Sequence, residues 1–220
     1  MSAPVQSRQR IIDRIRVATE SVANDPARLA YAYAALPCTY ILRGHLTAEG
    51  RIALMIERLH EYDAEVVEST PQALPTAIAA QLAASGKHAF VVPAGLPAEW
   101  LAPGFDWKID RGLTNSDIEL AEGVVTAAFC GVADSGTIVL HHSAAEGRRV
   151  LTLLPDWYLC ILRASQVVET LPEYFNCCQQ PPALATWISG PSATADIEMT
   201  RIKGVHGPRF LHVILVRDEH

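Results

Sequence analysis

No stretch of about 18 uninterrupted apolar residues runs through this 220-residue chain, which argues against a membrane-spanning helix. The first residues, Met1-Ser2-Ala3-Pro4-Val5-Gln6, lack a charged start followed by an apolar run, so no secretory leader is read there and a cytoplasmic location is expected. There is no run of five like charges. With 24 acidic and 18 basic side chains and a formal net charge of −6, a broad nucleic-acid-binding face is not expected, although local basic pockets remain open. Half of the residues are hydrophobic, enough for one α/β domain with a substantial core.

Metal and redox motifs are also scarce. The five cysteines, Cys38, Cys130, Cys160, Cys177 and Cys178, have no spacing of a zinc or iron–sulfur site, because only the last two are close and they are adjacent. Buried thiols are expected at all five, with no metal or cofactor bound by the chain itself. Gly131 to Thr137 superficially resembles a phosphate loop but has no lysine to reach the phosphates. Gly190-Pro191-Ser192 lacks the further glycines of a dinucleotide loop. Neither a Gly-x-Ser-x-Gly elbow nor a His-Glu-x-x-His helix is present, so covalent hydrolysis and zinc chemistry fall away.

What remains is a rhythm of helices and short apolar strands. Arg8 to Val22 has helical periodicity, Asp25-Pro26 restarts a helix through Leu36, and Thr47 can cap a helix through Leu59. Residues 1–62 are read as a helical N-terminal arm packed on an α/β domain spanning 63–220. In that domain Ala64–Glu68 and His88–Val92 read as strands around a helix from Pro71 to Ala84, a pattern expected of a mostly parallel sheet covered on both faces. Val124–Ala133 and Thr137–Leu140 flank the turn Asp134-Ser135-Gly136, which predicts a β-hairpin. Trp157–Leu162 is expected as a strand, Ser165–Tyr174 as a helix and Phe210–Val216 as the last strand.

The segment after Trp187 carries the main functional signal. Ser189-Gly190-Pro191-Ser192 interrupts an apolar run, and Ala193 to Ile202 then reads as the start of a helix. Unpaired N–H groups at such a helix start, with the hydroxyls of Ser189, Ser192 and Thr194 among them, would hold a carboxylate or phosphate. Lys203, Gly204, His206, Gly207 and Arg209 follow in a second loop with basic side chains and hinge glycines. Loops at carboxyl strand ends are the usual ligand sites of open α/β sheets.

Several of these residues carry two readings. Asp134 is either a turn former or a carboxylate beside the ligand. Asp196 and Glu198 either complement a helix dipole or do acid–base work. His206, between glycines, either transfers a proton and binds ligand or makes a structural hydrogen bond. His141 and His142, as strand neighbours, point to opposite faces, so at most one of them is expected to line a pocket.

Together, Gly131-Val132-Ala133-Asp134-Ser135-Gly136-Thr137, Leu151-Thr152-Leu153-Leu154-Pro155, Ser189 through Glu198 and Gly204-Val205-His206-Gly207-Pro208 resemble the LUD-domain family, the lactate-utilisation proteins, in its short C type. The resemblance runs from Ala64 to Val216. It implies a three-layer α/β/α fold similar to the NagB/RpiA/CoA-transferase group, and a role in oxidising L-lactate to pyruvate with iron–sulfur partner proteins. Longer members carry cluster-binding cysteines that this chain does not have, so any clusters would sit on those partners.

The motif positions serve as candidate site residues: His206, Asp134 and Glu198 for catalysis, and Ser189, Gly190, Ser192, Thr194, Gly204, Gly207, Lys203 and Thr137 for ligand binding. Two other functions are compatible with the sequence, a stand-alone enzyme acting on a sugar phosphate or acyl-CoA, and a non-catalytic scaffold.

Overall fold

The computed structural model describes residues 3–19, 25–37, 39–178, 180, 182–195, 201–204 and 207–218. It separates into two compact units, Met1–Tyr40 and Ile41–His220. The first contains helices α1 (Ala3–Thr19) and α2 (Pro26–Ala34). Asp25 caps α2 by accepting the N–H groups of Ala27 and Arg28, and Pro26 supplies a first-turn residue that needs no hydrogen bond.

The second unit begins with α3 (Ala48–Glu61), where the Thr47 hydroxyl accepts the N–H of Gly50 at 3.1 Å. Ile52, Met55 and Leu59 fall on one face at helical spacing and are buried. There follow β1 (Glu65–Ser69), α4 (Leu74–Ala84), β2 (Ala89–Pro93), β3 (Asp106–Asp110), α5 (Asn115–Glu119), β4 (Gly123–Ala127), β5 (Cys130–Val132), β6 (Thr137–Leu140), β7 (Trp157–Arg163), β8 (Val167–Val168), α6 (Leu171–Cys177), β9 (Thr186–Ile188), β10 (Ala193–Ala195), β11 (Arg201–Lys203) and β12 (Phe210–Val216).

Six strands form one parallel sheet in the order β1-β12-β7-β4-β2-β3. Its central strands are buried on both faces and read as continuous apolar runs, as parallel sheets require. One face packs against Leu74, Ile78 and Leu82 of α4. The other meets Ile52, Met55 and Leu59 of α3, Ile118 of α5 and a second sheet ordered β8-β5-β6-β9. Period-two alternation divides the second sheet: Ile138 and Leu140 face the large sheet, while Cys130, Val132 and Val139 face Tyr174 of α6 and Cys178. Each large apolar side chain buried this way contributes about 1.5–3 kcal/mol. This is the α/β fold with a mostly parallel, helix-flanked sheet that the resemblance implies.

Three local expectations need correction. Val124 to Ala133 is two strands, because the N–H of Ala128 bonds Ile161 in the large sheet while that of the next residue, Phe129, bonds Val139 in the small one. The chain therefore changes sheet between two consecutive residues, and the predicted hairpin is β5–β6, turned through Ala133–Ser135 with Gly136 left-handed at φ 60°. Ser165–Tyr174 is not one helix. Val167–Val168 pairs with β5, and α6 begins only after Thr170 with Pro172 in its first turn.

The third correction bears on function. Ala193–Ala195 is a strand paired antiparallel with Arg201–Lys203, and no helix starts at Ala193. The Ser192 N–H donates to Pro208 O at 2.8 Å and the Gly204 N–H to Ser192 O at 2.9 Å, so these backbone groups are committed to the neighbouring segment. A helix-start anion site is thereby removed. Among the described residues no helix is long and apolar enough to cross a membrane.

Candidate functional site

A cleft of about 250 Å³ opens between the β9 edge of the small sheet and the amino ends of β7 and β12. Its lining includes Ser189, Gly190 and Ser192 together with Arg149, Thr152 and Tyr158. The loop does follow the carboxyl end of β9. In the large parallel sheet, however, Tyr158 and Leu211 sit opposite each other near the starts of their strands, so the carboxyl-end rule is not what positions this cleft.

Arg149 was not singled out from the sequence. Its guanidinium donates to the Thr152 hydroxyl at 3.1 Å, and among the described residues no carboxylate pairs with it. Burial holds its pKa below the ordinary arginine value. Adjacent Arg148 is satisfied instead, through Asp110 at 2.7 and 2.9 Å. Arg209 of the second loop forms a two-point pair with Asp156 at 2.6 and 2.7 Å. The described lining contains no Asp or Glu beside Arg149, whose guanidinium shares the cleft with the hydroxyls of Thr152, Tyr158, Ser189 and Ser192.

Those hydroxyls are tied into the scaffold. Thr137, buried on β6, shares a 2.7 Å hydrogen bond with the Ser189 hydroxyl and another of 2.7 Å with Ser135. Tyr158 meets the Thr126 hydroxyl at 2.8 Å, and burial pushes its phenol pKa well up, so it stays protonated. Gly190 has φ 84°, and a Cβ there would fall 2.5 Å from Cβ of Tyr62 at the end of α3. Only glycine fits that approach.

The two predicted loops adjoin. Besides the Ser192–Pro208 and Gly204–Ser192 backbone bonds, a Cβ at Gly207 would lie 3.6 Å from that of Ser192. Thr194 and Lys203 lie on the β10–β11 ladder, paired with Ile202 and Ala193. Asp134 is exposed in the hairpin turn near Arg58 and does not line the cleft. His206 and Glu198 lie outside the described residues. The described lining thus offers a guanidinium and several hydroxyls, and no histidine, cysteine or carboxylate to act as a general base.

His141 and His142 lie away from this cleft. His141 stacks on Phe129 with ring centroids 3.6 Å apart and is 2.7 Å from the Tyr174 hydroxyl. His142 is left-handed at φ 59°; its Nδ1–H donates to Gly147 O at 2.8 Å, which leaves Nε2 to accept from the Thr186 hydroxyl at 2.9 Å. Of the cysteines, Cys130, Cys160 and Cys178 are buried as expected, whereas Cys177 is exposed because it ends the solvent side of α6. Cys38 lies outside the described residues. Among the described residues no cluster of three or more His, Cys, Asp or Glu side chains could hold a metal.

Comparison with known proteins adds the family. The LUD domain matches residues 52–216. A lactate utilization protein C from Deinococcus radiodurans is 39% identical over 164 residues, 73% of this chain and 76% of that protein. One from Bacillus subtilis is 35% identical over 134 residues, covering 56% and 55% respectively. The chain spans only about half the length of several such relatives. A crystal structure of a DUF162 family protein from Deinococcus radiodurans matches with a TM-score of 0.67 at 33% identity, over 78% of this chain and 99% of that one. The chain belongs to the LUD-domain family.

Proposed function

We propose that this protein is a component of a lactate-utilisation system and that its cleft binds a small carboxylate of the 2-hydroxy or 2-oxo acid class. The observation that carries the reading is the guanidinium of Arg149, unpaired with any carboxylate among the described residues, in a cleft whose other described polar side chains are hydroxyls. An arginine fork can take both oxygens of a carboxylate, and Ser189 and Ser192 line the same cleft. The names of the relatives supply the metabolic context.

Oxidation of L-lactate to pyruvate removes two electrons and two protons, and the described lining has no group to receive either. The chain therefore binds and orients, while iron–sulfur partner subunits accept the electrons. His206 is the proposed proton carrier from the second loop, with Glu198 as a further acid–base candidate; Asp134, outside the cleft, is left to its role in the turn.

Calorimetry on the purified chain with L-lactate and with pyruvate tests the binding step. Binding by either that weakens about tenfold or more in Arg149→Gln is expected, since a charge-assisted pair is worth about 1.5–3 kcal/mol. Absence of binding by both acids, or binding unchanged in Arg149→Gln, contradicts the assignment.

A further inference from the structure

A second cleft, of about 310 Å³, lies on another face of the same unit and has no part in the reading above. It is lined by Arg43, Arg51 in the first turns of α3, Glu173 and Cys177 of α6, and the apolar wall of Val167 and Val168. Neither guanidinium makes a close ion pair or a hydrogen bond among the described residues, and the Nε of Arg51 is buried without a partner. Buried donors without partners are rare in folded proteins, and each calls for an explanation.

The one carboxylate in the cleft does not supply it. Glu173 accepts backbone N–H groups from Gly44 at 3.0 Å, Glu169 at 2.8 Å and Thr170 at 3.0 Å. Burial opposes its ionisation, but the N–H groups of Thr170, Gly44 and Glu169, with a smaller contribution from the charge of Arg51, outweigh that and hold its pKa below the usual value. Its oxygens are thus occupied in fastening the Arg43–Gly44 segment to α6. The result is an open cleft lined by two guanidiniums that make no side-chain hydrogen bond to the described residues, Arg51 acting on Glu173 only through its charge.

We propose that this cleft is a binding site for a phosphate-bearing small molecule, distinct from the carboxylate cleft. Two planar guanidinium forks match the oxygens of a phosphate dianion. A single carboxylate would neutralise only one of them, beside the negative charge of Glu173. The volume exceeds what inorganic phosphate fills, and Val167 and Val168 provide an apolar surface for the organic part of a phosphomonoester.

Cys177 makes the test direct, because its exposed thiol lies in this cleft while Cys130, Cys160 and Cys178 are buried. The rate of iodoacetamide alkylation at Cys177, followed by mass spectrometry of its peptide, is measured with inorganic phosphate, with glycerol 3-phosphate, and with chloride at matched ionic strength. At about ten times its dissociation constant a bound ligand leaves roughly a tenth of the sites open, so alkylation slows about tenfold. Protection by the ester above that by free phosphate identifies an organic phosphate as the occupant; equal protection identifies the phosphate group alone. Protection is lost in Arg43→Gln, an exposed position whose replacement leaves the fold intact, and in Arg51→Gln. Alkylation unaffected by either phosphate compound, or protection that survives in Arg43→Gln, overturns the proposal, whatever lactate and pyruvate do at Arg149.

Discussion

Thr137 Oγ1 lies 2.7 Å from Ser189 Oγ, joining the β5–β6 hairpin to the loop that walls the carboxylate cleft. Thr137 is also the midpoint of a chain of three hydroxyls that begins at Ser135. A hairpin that reads as a simple turn in the sequence therefore positions a cleft residue 52 positions later.

Thr137→Val keeps the shape of this buried side chain and removes the hydroxyl link. Loss of the hydrogen bond is expected to cost about 1 kcal/mol in urea unfolding, and the freed Ser189 loop to bind carboxylate more weakly. Stability and affinity both equal to those of the parent protein would show that the link does not position the loop.

Gly190→Ala combines a left-handed backbone with a Cβ set 2.5 Å from Tyr62 Cβ. The backbone strain alone is about 1–3 kcal/mol, and the collision adds to it. A thermal unfolding midpoint lowered by several degrees, with carboxylate binding abolished, is the expected outcome.

Asp110 accepts a two-point pair from Arg148 together with the N–H groups of Gly112 and Leu113. The Arg148 hydrogen bond is the largest of the effects that hold its pKa below the usual carboxylate value, burial acting the other way. A lowered folded-state pKa gives stability that is present above the unfolded value of about 3.9 and lost as pH falls through the folded one. Asp110→Asn should therefore cost about 2 kcal/mol at neutral pH, with the gap from the parent narrowing on acidification. Urea melts across that range check the sign, since a gap that widens in acid is inconsistent with it.

His141 shows the corresponding behaviour for a base. Burial against Phe129 and Tyr174 lowers its pKa, so below about pH 6.5 the unfolded chain takes up the proton more readily. Its contribution is complete above that pH and declines below it. In His141→Leu the loss of stability between about pH 7.5 and pH 5 should be smaller than in the parent, although the variant is less stable overall.

Most of the fold was legible because its signals are local. Asp25 and Thr47 cap the helices they precede, and the central strands of the parallel sheet are largely apolar runs between turn residues. What escaped depends on contacts distant in sequence. Ala193–Ala195 has helix-compatible composition and becomes a strand because its neighbours are tied to Gly204 and Pro208. Phe129 continues an apolar run, and nothing local marks it as the point where the chain leaves one sheet for the other. Asp106–Asp110 is a charged edge strand with little apolar signature.

The site follows the same division. Ser189, Gly190 and Ser192 stood out through composition. Arg149 could not, since its neighbour Arg148 has the same chemistry and only the folded position of Asp110 separates a paired guanidinium from one left for a ligand.

The most direct test of the central claim is a crystal structure of the chain grown with pyruvate. The account predicts its carboxylate within hydrogen-bond reach of the Arg149 guanidinium, with the keto oxygen toward Ser189 or Ser192. Pyruvate bound elsewhere, with the Arg149 cleft occupied by water alone, would contradict it.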